Sequence, residues 1–497
     1  MSIININGMV FYILLIQVIK NSINNKVYRI PFSQHNYEYI FNTRTNYSNI
    51  AESIFFNVIY INLSLGEPPQ TIPFHLNINS QAFYITDKFY FIPNKSKTYD
   101  SISYNEQSFK YDDLKKGIIF KDYIQLNNNI QNKTKIEFIY GTEIKKNNNL
   151  GNIGLLIPDS KTNKKNKYES SFFSALKKSN LIDSYSWTIK FYNNINIIDT
   201  IYTYAKEGQY IGEFIIGEEP HKYELDKKIY DEAKLIKVNA LYDFDGIFWD
   251  VFFNDIYMNI KLNNSETKQK IEIYGHRQAE INPDLGFIVG TNEYFSSIHK
   301  NFFNKYKNIC KEKQINNTLF KYIECEKNSI FNLSSFPDIF FESKSFETIF
   351  NLTYEDLFIF DEINNKYIFL IINNRYISRW VFGSIFLRKY QFVFNTDSKT
   401  IGYYKSMNYY KNDFIYNNSI NKNANINTNI NTNEKKENNK KYILYIIIGI
   451  LLILFSILFI ILGIFIQRKC LNYRRKKRVN ELEDVDNDME KNNNLIV

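Results

Sequence analysis

Residues with the types and spacing that chemistry needs are few in this 497-residue chain. Its five histidines and three cysteines form no Cys-x-x-Cys pair, no Cys/His cluster and no Ser/His or Cys/His constellation. Metal ligation and nucleophilic catalysis therefore have no motif to stand on, and neither a metal nor a cofactor is expected. Two turns stand out instead. In PFHLNINSQAFYI (residues 73–85) an apolar run ends on Asn77, Ile78 and Asn79. In QAEINPDLGFIVG (residues 278–290) the mixed segment QAEI is followed by Asn282, Pro283 and Asp284. Acid–base chemistry at a pair of turns needs carboxylates, because two that face each other share one proton and can activate water. Asparagine offers a hydrogen-bonding amide of nearly the same shape, but it does not ionise at any working pH. In a chain so rich in asparagine, either residue alone reads as compositional drift.

The elements that would position these turns are strands. Aromatic residues make up 17% of the chain, with 39 Tyr and 42 Phe, a composition that suits strands better than helices. From about residue 55 to 404 short alternating runs recur, among them FFNVIYINLSL, GIIFKDYIQL, SWTIKFY, GEFIIGEE, FWDVFFNDIYMNIKL, FPDIFF and KYIFLIINN. Their period of two predicts half-buried strands in a large all-β domain. Helical stretches are few, the best candidates being residues 170–181 and 291–306.

Two apolar segments bound the domain. Residues 9–19, MVFYILLIQVI, are too short to span a bilayer and fit the core of a signal peptide over 1–22. Residues 442–466 carry no charge and are long enough to form a transmembrane helix. Arg468, Lys469, Arg474, Arg475, Lys476, Lys477 and Arg478 follow at once, which places the C-terminus in the cytosol. That cluster also carries much of the net charge of +9, so the charge is no footprint for nucleic acid. The expectation is a single-pass type I protein of the secretory pathway membrane, its bulk lumenal or extracellular. Cys310 and Cys325 would lie on the oxidising side, where a local disulfide is expected, two free thiols being the alternative. Residues 406–441 are polar and of low complexity, a disordered stalk. Sequons such as those at Asn62 and Asn351 permit glycosylation without requiring it.

Taken in order, the strands and turns resemble a pepsin-type aspartic peptidase. YINLSLGEPPQTIPFHLNINSQAFYI is similar to that family's opening strand, G-x-P-x-Q turn and first active-site segment. FIPNKSKTY (91–99) resembles its F-x-P-x-x-S-x-T-Y segment, and FKYDDLKKGIIFKDYIQL its flap hairpin, with Tyr111 at the flap tyrosine. LGNIGL (150–155), GEFIIGEEP (212–220), FPDIFF (336–341) and the run 380–405 complete a collinear match over roughly residues 55 to 405. The resemblance implies a bilobal pepsin-like fold: an N-terminal β-lobe at 55–205 and a C-terminal β-lobe at 206–405. Residues 23–54, with KVYRIPFSQ, look like a short pro-segment leader, and 467–497 form a basic-then-acidic cytosolic tail. Leader, domain and anchor together resemble the membrane-anchored plasmepsins.

The family places a catalytic aspartate in each lobe within D-T/S-G. Those positions are Asn77 and Asn282 here. Ile78, Asn79 and Pro283 have lost the supporting hydroxyls and glycine, and Ser384 stands where an aspartate follows the last glycine. The resemblance therefore implies a pseudoprotease that still holds an extended peptide or protein partner in the interlobe cleft. Alternatives are an active aspartic endopeptidase, using Asp284 in a shifted D-x-G with Asp87 the nearest acid of the first lobe, and a structural ectodomain with a vestigial cleft. Oligomeric state has no sequence signal.

Overall fold

The computed structural model describes residues 26–36, 50–85, 91–102, 106–108, 114–126, 134–144, 151–156, 171–192, 210–243, 246–261, 268–316 and 318–406. Tyr111, Asp87, the signal peptide, nearly all of the stalk, the segment 442–466 and the tail lie outside the described residues. Among the described residues no helix is long and apolar enough to cross a membrane.

The chain is mostly β. Strands follow wherever apolar and polar residues alternate. In Asn57–Leu65, for example, Ile59, Ile61, Leu63 and Leu65 are buried and the residues between them are not. Among the described residues the largest sheet has fourteen strands, and sheets of eight and four strands hold most of the rest. The two expected helices form at Phe172–Lys178 and Asn292–Asn301. Each opens on a hydroxyl cap: Ser171 accepts from the Ser174 N–H, and Thr291 from that of Tyr294.

Two places differ from a strand-by-strand reading of the sequence. The run 249–261 is two strands in different sheets, Asp250–Phe252 and Asp255–Lys261. The chain changes sheet between them, where Phe253 N donates to Arg277 O and Asn254 N to Glu342 O. The leader, in turn, contributes Tyr28–Asn36 to the interior of the largest sheet, between Gly212–Ile216 and Asn57–Leu65. Its Ile30 and Phe32 are buried at alternate positions. A short helix, Ile50–Phe55, follows it.

The core is aromatic where distant segments meet. Trp187 stacks on Phe394 at 3.9 Å, and Trp249 meets Trp187 edge-on at 5.8 Å. These rings join the strands at residues 186–191 and 393–395 to the bend at Trp249, so their burial ties sequence-remote parts into one core. The expected disulfide is present: Cys310 and Cys325 sit directly opposite on adjacent strands, closing the hairpin.

Candidate functional site

Both asparagine turns are built by one pattern of strands, used twice. Gln70–Asn77 buries Ile72, Phe74 and Leu76, and Asn77 is its last residue. Gly151–Gly154 runs parallel to it, pairing Asn77 with Gly154. Phe83–Ile85 lies antiparallel on the far side of Gly151–Gly154 and parallel to Thr134–Ile144. In the second half Gln278–Ile281 leads into Asn282 and pairs in parallel with Trp380–Phe382. Ile288–Gly290 is antiparallel to Trp380–Phe382 and parallel to Lys366–Asn373. Parallel, antiparallel, parallel: the order is the same in both halves.

A glycine stands at the crossing in each. A Cβ on Gly154 would come within 2.4 Å of the Ser80 carbonyl oxygen, and one on Gly383 within 2.0 Å of that of Phe287. The chain can pass through its own loop only where no side chain intervenes.

The asparagines close matching turns. Asn77 Oδ1 accepts the N–H of Asn79 at 2.9 Å, and Asn282 Oδ1 accepts that of Asp284 at 3.1 Å. A side-chain oxygen capping the N–H two residues on is what makes asparagine favourable at such a turn. The donors go outward from the turns. Asn77 Nδ2 donates to Asn152 Oδ1 (3.0 Å), and Asn282 Nδ2 to Glu280 Oε1 (3.1 Å). These bonds stay within each half, and none joins Asn77 to Asn282. Ile78 is buried, Asn79 exposed and Pro283 buried. Ser384 is buried, its N–H donating to Leu285 O, and its hydroxyl accepts from Gln34 Nε2 of the leader strand at 3.4 Å.

Three groups not singled out in the sequence complete the site. Asn152 holds the first turn: besides accepting from Asn77 it donates to Ser80 Oγ (3.1 Å) and Ala82 O (2.7 Å). His75 Nε2 meets Asp284 Oδ1 at 2.8 Å, linking the strand before Asn77 to the turn after Asn282. Asp284 is thus engaged across the two halves. The third is a charge cluster beneath the second turn. Glu280 faces Asp250 on the neighbouring strand, and Arg379 bridges them, with Nη2 2.7 Å from Glu280 and Nη1 3.2 Å from Asp250. Burial pushes the Glu280 carboxyl above the ordinary glutamate value; Arg379 opposes this and Asp250 adds to it. The available signal was an acid inside the segment QAEI, a position where a charge needs a partner.

Replacing Asn152 with alanine is expected to lower stability by about 1–3 kcal/mol, since it strands the buried Asn77 amide and two further groups. Urea denaturation measures this; an unchanged midpoint would mean the turn does not depend on the network.

Chemically, the amides of Asn77 and Asn282 can hydrogen-bond but not ionise, and Asp284 is the carboxylate of the second turn. Among the described residues no three His, Cys, Asp or Glu side chains gather as a metal site. No protein-family model matches the chain, and no curated protein matches it.

Proposed function

We propose that the chain is a pepsin-type aspartic peptidase homologue that no longer cuts: a membrane-anchored, single-pass type I pseudoprotease of the secretory pathway. Its two β-lobes hold an extended peptide or protein partner in the cleft between them, through main-chain hydrogen bonds of the kind strand addition uses. The observation that carries this reading is the repeated strand–asparagine–turn unit, with Asn77 and Asn282 at matching ends and identical side-chain turns. Each turn places an amide at the end of its strand, and neither Asn77 nor Asn282 can ionise. Tyr111 is assigned to the flap over the bound strand.

A structural ectodomain is the second reading, and one observation favours it. The Ile54 carbonyl of the short helix packs so closely on Gly286 that a Cβ there would lie 2.0 Å away. The chain's own residues thus cover the second turn on that side.

Peptide binding separates the two. The full-length protein is expected to bind extended peptides saturably, and Tyr111→Ala to weaken binding by about tenfold, or ~1.4 kcal/mol. No binding would favour the structural reading. Restoring both carboxylates, Asn77→Asp with Asn282→Asp, is expected to give no measurable hydrolysis, because Ile78, Asn79 and Pro283 supply neither the hydroxyls nor the glycine that orient such a pair. Robust turnover by that double variant would show that the carboxylates alone had been missing.

A further inference from the structure

A second polar site lies beside the turns, between the short helix and the disulfide-closed hairpin. The helix Ile50–Phe55 is fixed from two directions: Ile54 packs on Gly286, and the Phe55 ring meets Phe320 at 5.0 Å. Its acidic residue, Glu52, borders a cavity of roughly 360 Å3. The opposite wall comes from Cys310–Gln314, Lys321–Glu326 and Lys366–Asn373, which contribute Lys313, Glu324 and Lys366.

The charges there do not balance. Lys366 and Lys313 both approach Glu324, at 2.8 and 3.8 Å. Asp361 sits opposite Lys366 in register and caps its own turn by accepting from Asn364 N and Nδ2. Glu52 is 9% exposed; its carbonyl accepts from Phe56 N, and among the described residues its carboxylate has no hydrogen-bond or ion-pair partner. The cavity is therefore lined by one more carboxylate than ammonium, and the surplus sits on Glu52. A carboxylate largely screened from bulk water and without a charged partner is unfavourable. A cation entering the cavity recovers that cost. An anion would meet lysines already engaged by Glu324 and face Glu52 directly.

We propose that this cavity binds the ammonium or guanidinium head of a small amine or of a basic peptide side chain, with Glu52 as its counter-ion. The volume suits one such head with its aliphatic stem. The site stands independently of whether the asparagine turns are a vestigial peptidase centre, because none of its groups belongs to them.

The test is calorimetric titration of the full-length protein with methylguanidine, with the capped peptide acetyl-Gly-Arg-Gly-amide, and with the same peptide carrying neutral citrulline. Saturable binding of a guanidinium probe is expected, with the citrulline peptide at least about tenfold weaker, since a charge-assisted hydrogen bond is lost. Glu52→Gln should weaken the guanidinium probe by a similar factor while leaving the melting temperature equal or higher. A merely structural role for Glu52 would not separate those two readouts. Lys313→Glu, at an exposed side chain, should tighten binding severalfold. Methylguanidine binding as tightly as the arginine peptide would mark free amines as the ligand class. A much tighter peptide would mark basic side chains. The proposal is overturned if neither guanidinium probe binds saturably, if Glu52→Gln leaves affinity unchanged, or if Lys313→Glu fails to tighten it.

Discussion

Replacing Gly383 by alanine is expected to destabilise the domain by at least about 4 kcal/mol, enough to unfold a protein of ordinary stability. The new Cβ would lie 2.0 Å from Phe287 O and 2.2 Å from Leu285 O, both backbone atoms. They cannot step aside as a side chain would. Ser384 N donates to Leu285 O at 2.7 Å, and Phe382 pairs with both Ile281 and Ile288, so moving the loop breaks the sheet on either side. Gly154→Ala should cost a comparable amount, because its Cβ would meet Ser80 O and the Gln81 carbonyl carbon, each at 2.4 Å. Gly402→Ala provides the contrast. Its nearest obstacle is the Leu235 side-chain tip at 2.9 Å, so a loss within about 1 kcal/mol is expected. Urea denaturation of the three variants gives the ranking. Wild-type stability in Gly383→Ala would contradict the crossing described for the second half.

Arg379→Met is expected to cost about 3–5 kcal/mol at neutral pH, the usual loss when one partner of a buried ion cluster is removed. Asp250 is fully buried, Glu280 nearly so, and the two stand directly opposite on neighbouring strands. Without the guanidinium they become like charges in a dry environment. The pH dependence has a definite sign. Burial holds the folded Glu280 carboxyl above its unfolded value, so the folded state binds that proton more tightly. Stability is therefore greatest below the ordinary glutamate value and declines as pH rises through the folded value. Removing Arg379, which opposes the shift, extends that decline upward. The deficit of Arg379→Met should grow between about pH 4 and pH 7, and Glu280→Gln should flatten the slope. A deficit equal at all pH values would mean that Arg379 acts by packing alone.

What the sequence made legible was local. Period-two alternation marked the strands, helical spacing of apolar residues behind a polar start marked the first helix, and Cys310 and Cys325 were close enough in sequence to suggest a local disulfide. Asn77 and Asn282 were located by the family resemblance of the segments that flank them. What escaped was long-range. Asn77 with Asn152, His75 with Asp284, and Arg379 with Asp250 are pairs separated by 75, 209 and 129 residues, and no local pattern announces them. The break at Phe253–Asn254 was hidden for another reason. Only Asn254 and Asp255 interrupt the apolar run there, with no glycine or proline to mark a turn, although the two strands belong to different sheets. The leader strand was hidden by its distance from the body of the match, although Tyr28, Ile30 and Phe32 alternate as a buried strand should.

The asparagines themselves bear on function through chemistry that no packing can supply. Each amide caps its turn through its oxygen and anchors it through its nitrogen, roles in which a carboxylate would lose the donor. The turns are thus adapted to amides.

The most direct test of the central claim is incubation of the purified full-length protein with a diverse peptide library at acid pH, with and without pepstatin, and mass spectrometry of the products. A pseudoprotease predicts no cleavage above the buffer control in either arm. Hydrolysis that pepstatin abolishes would contradict it and return the chain to the active aspartic peptidases.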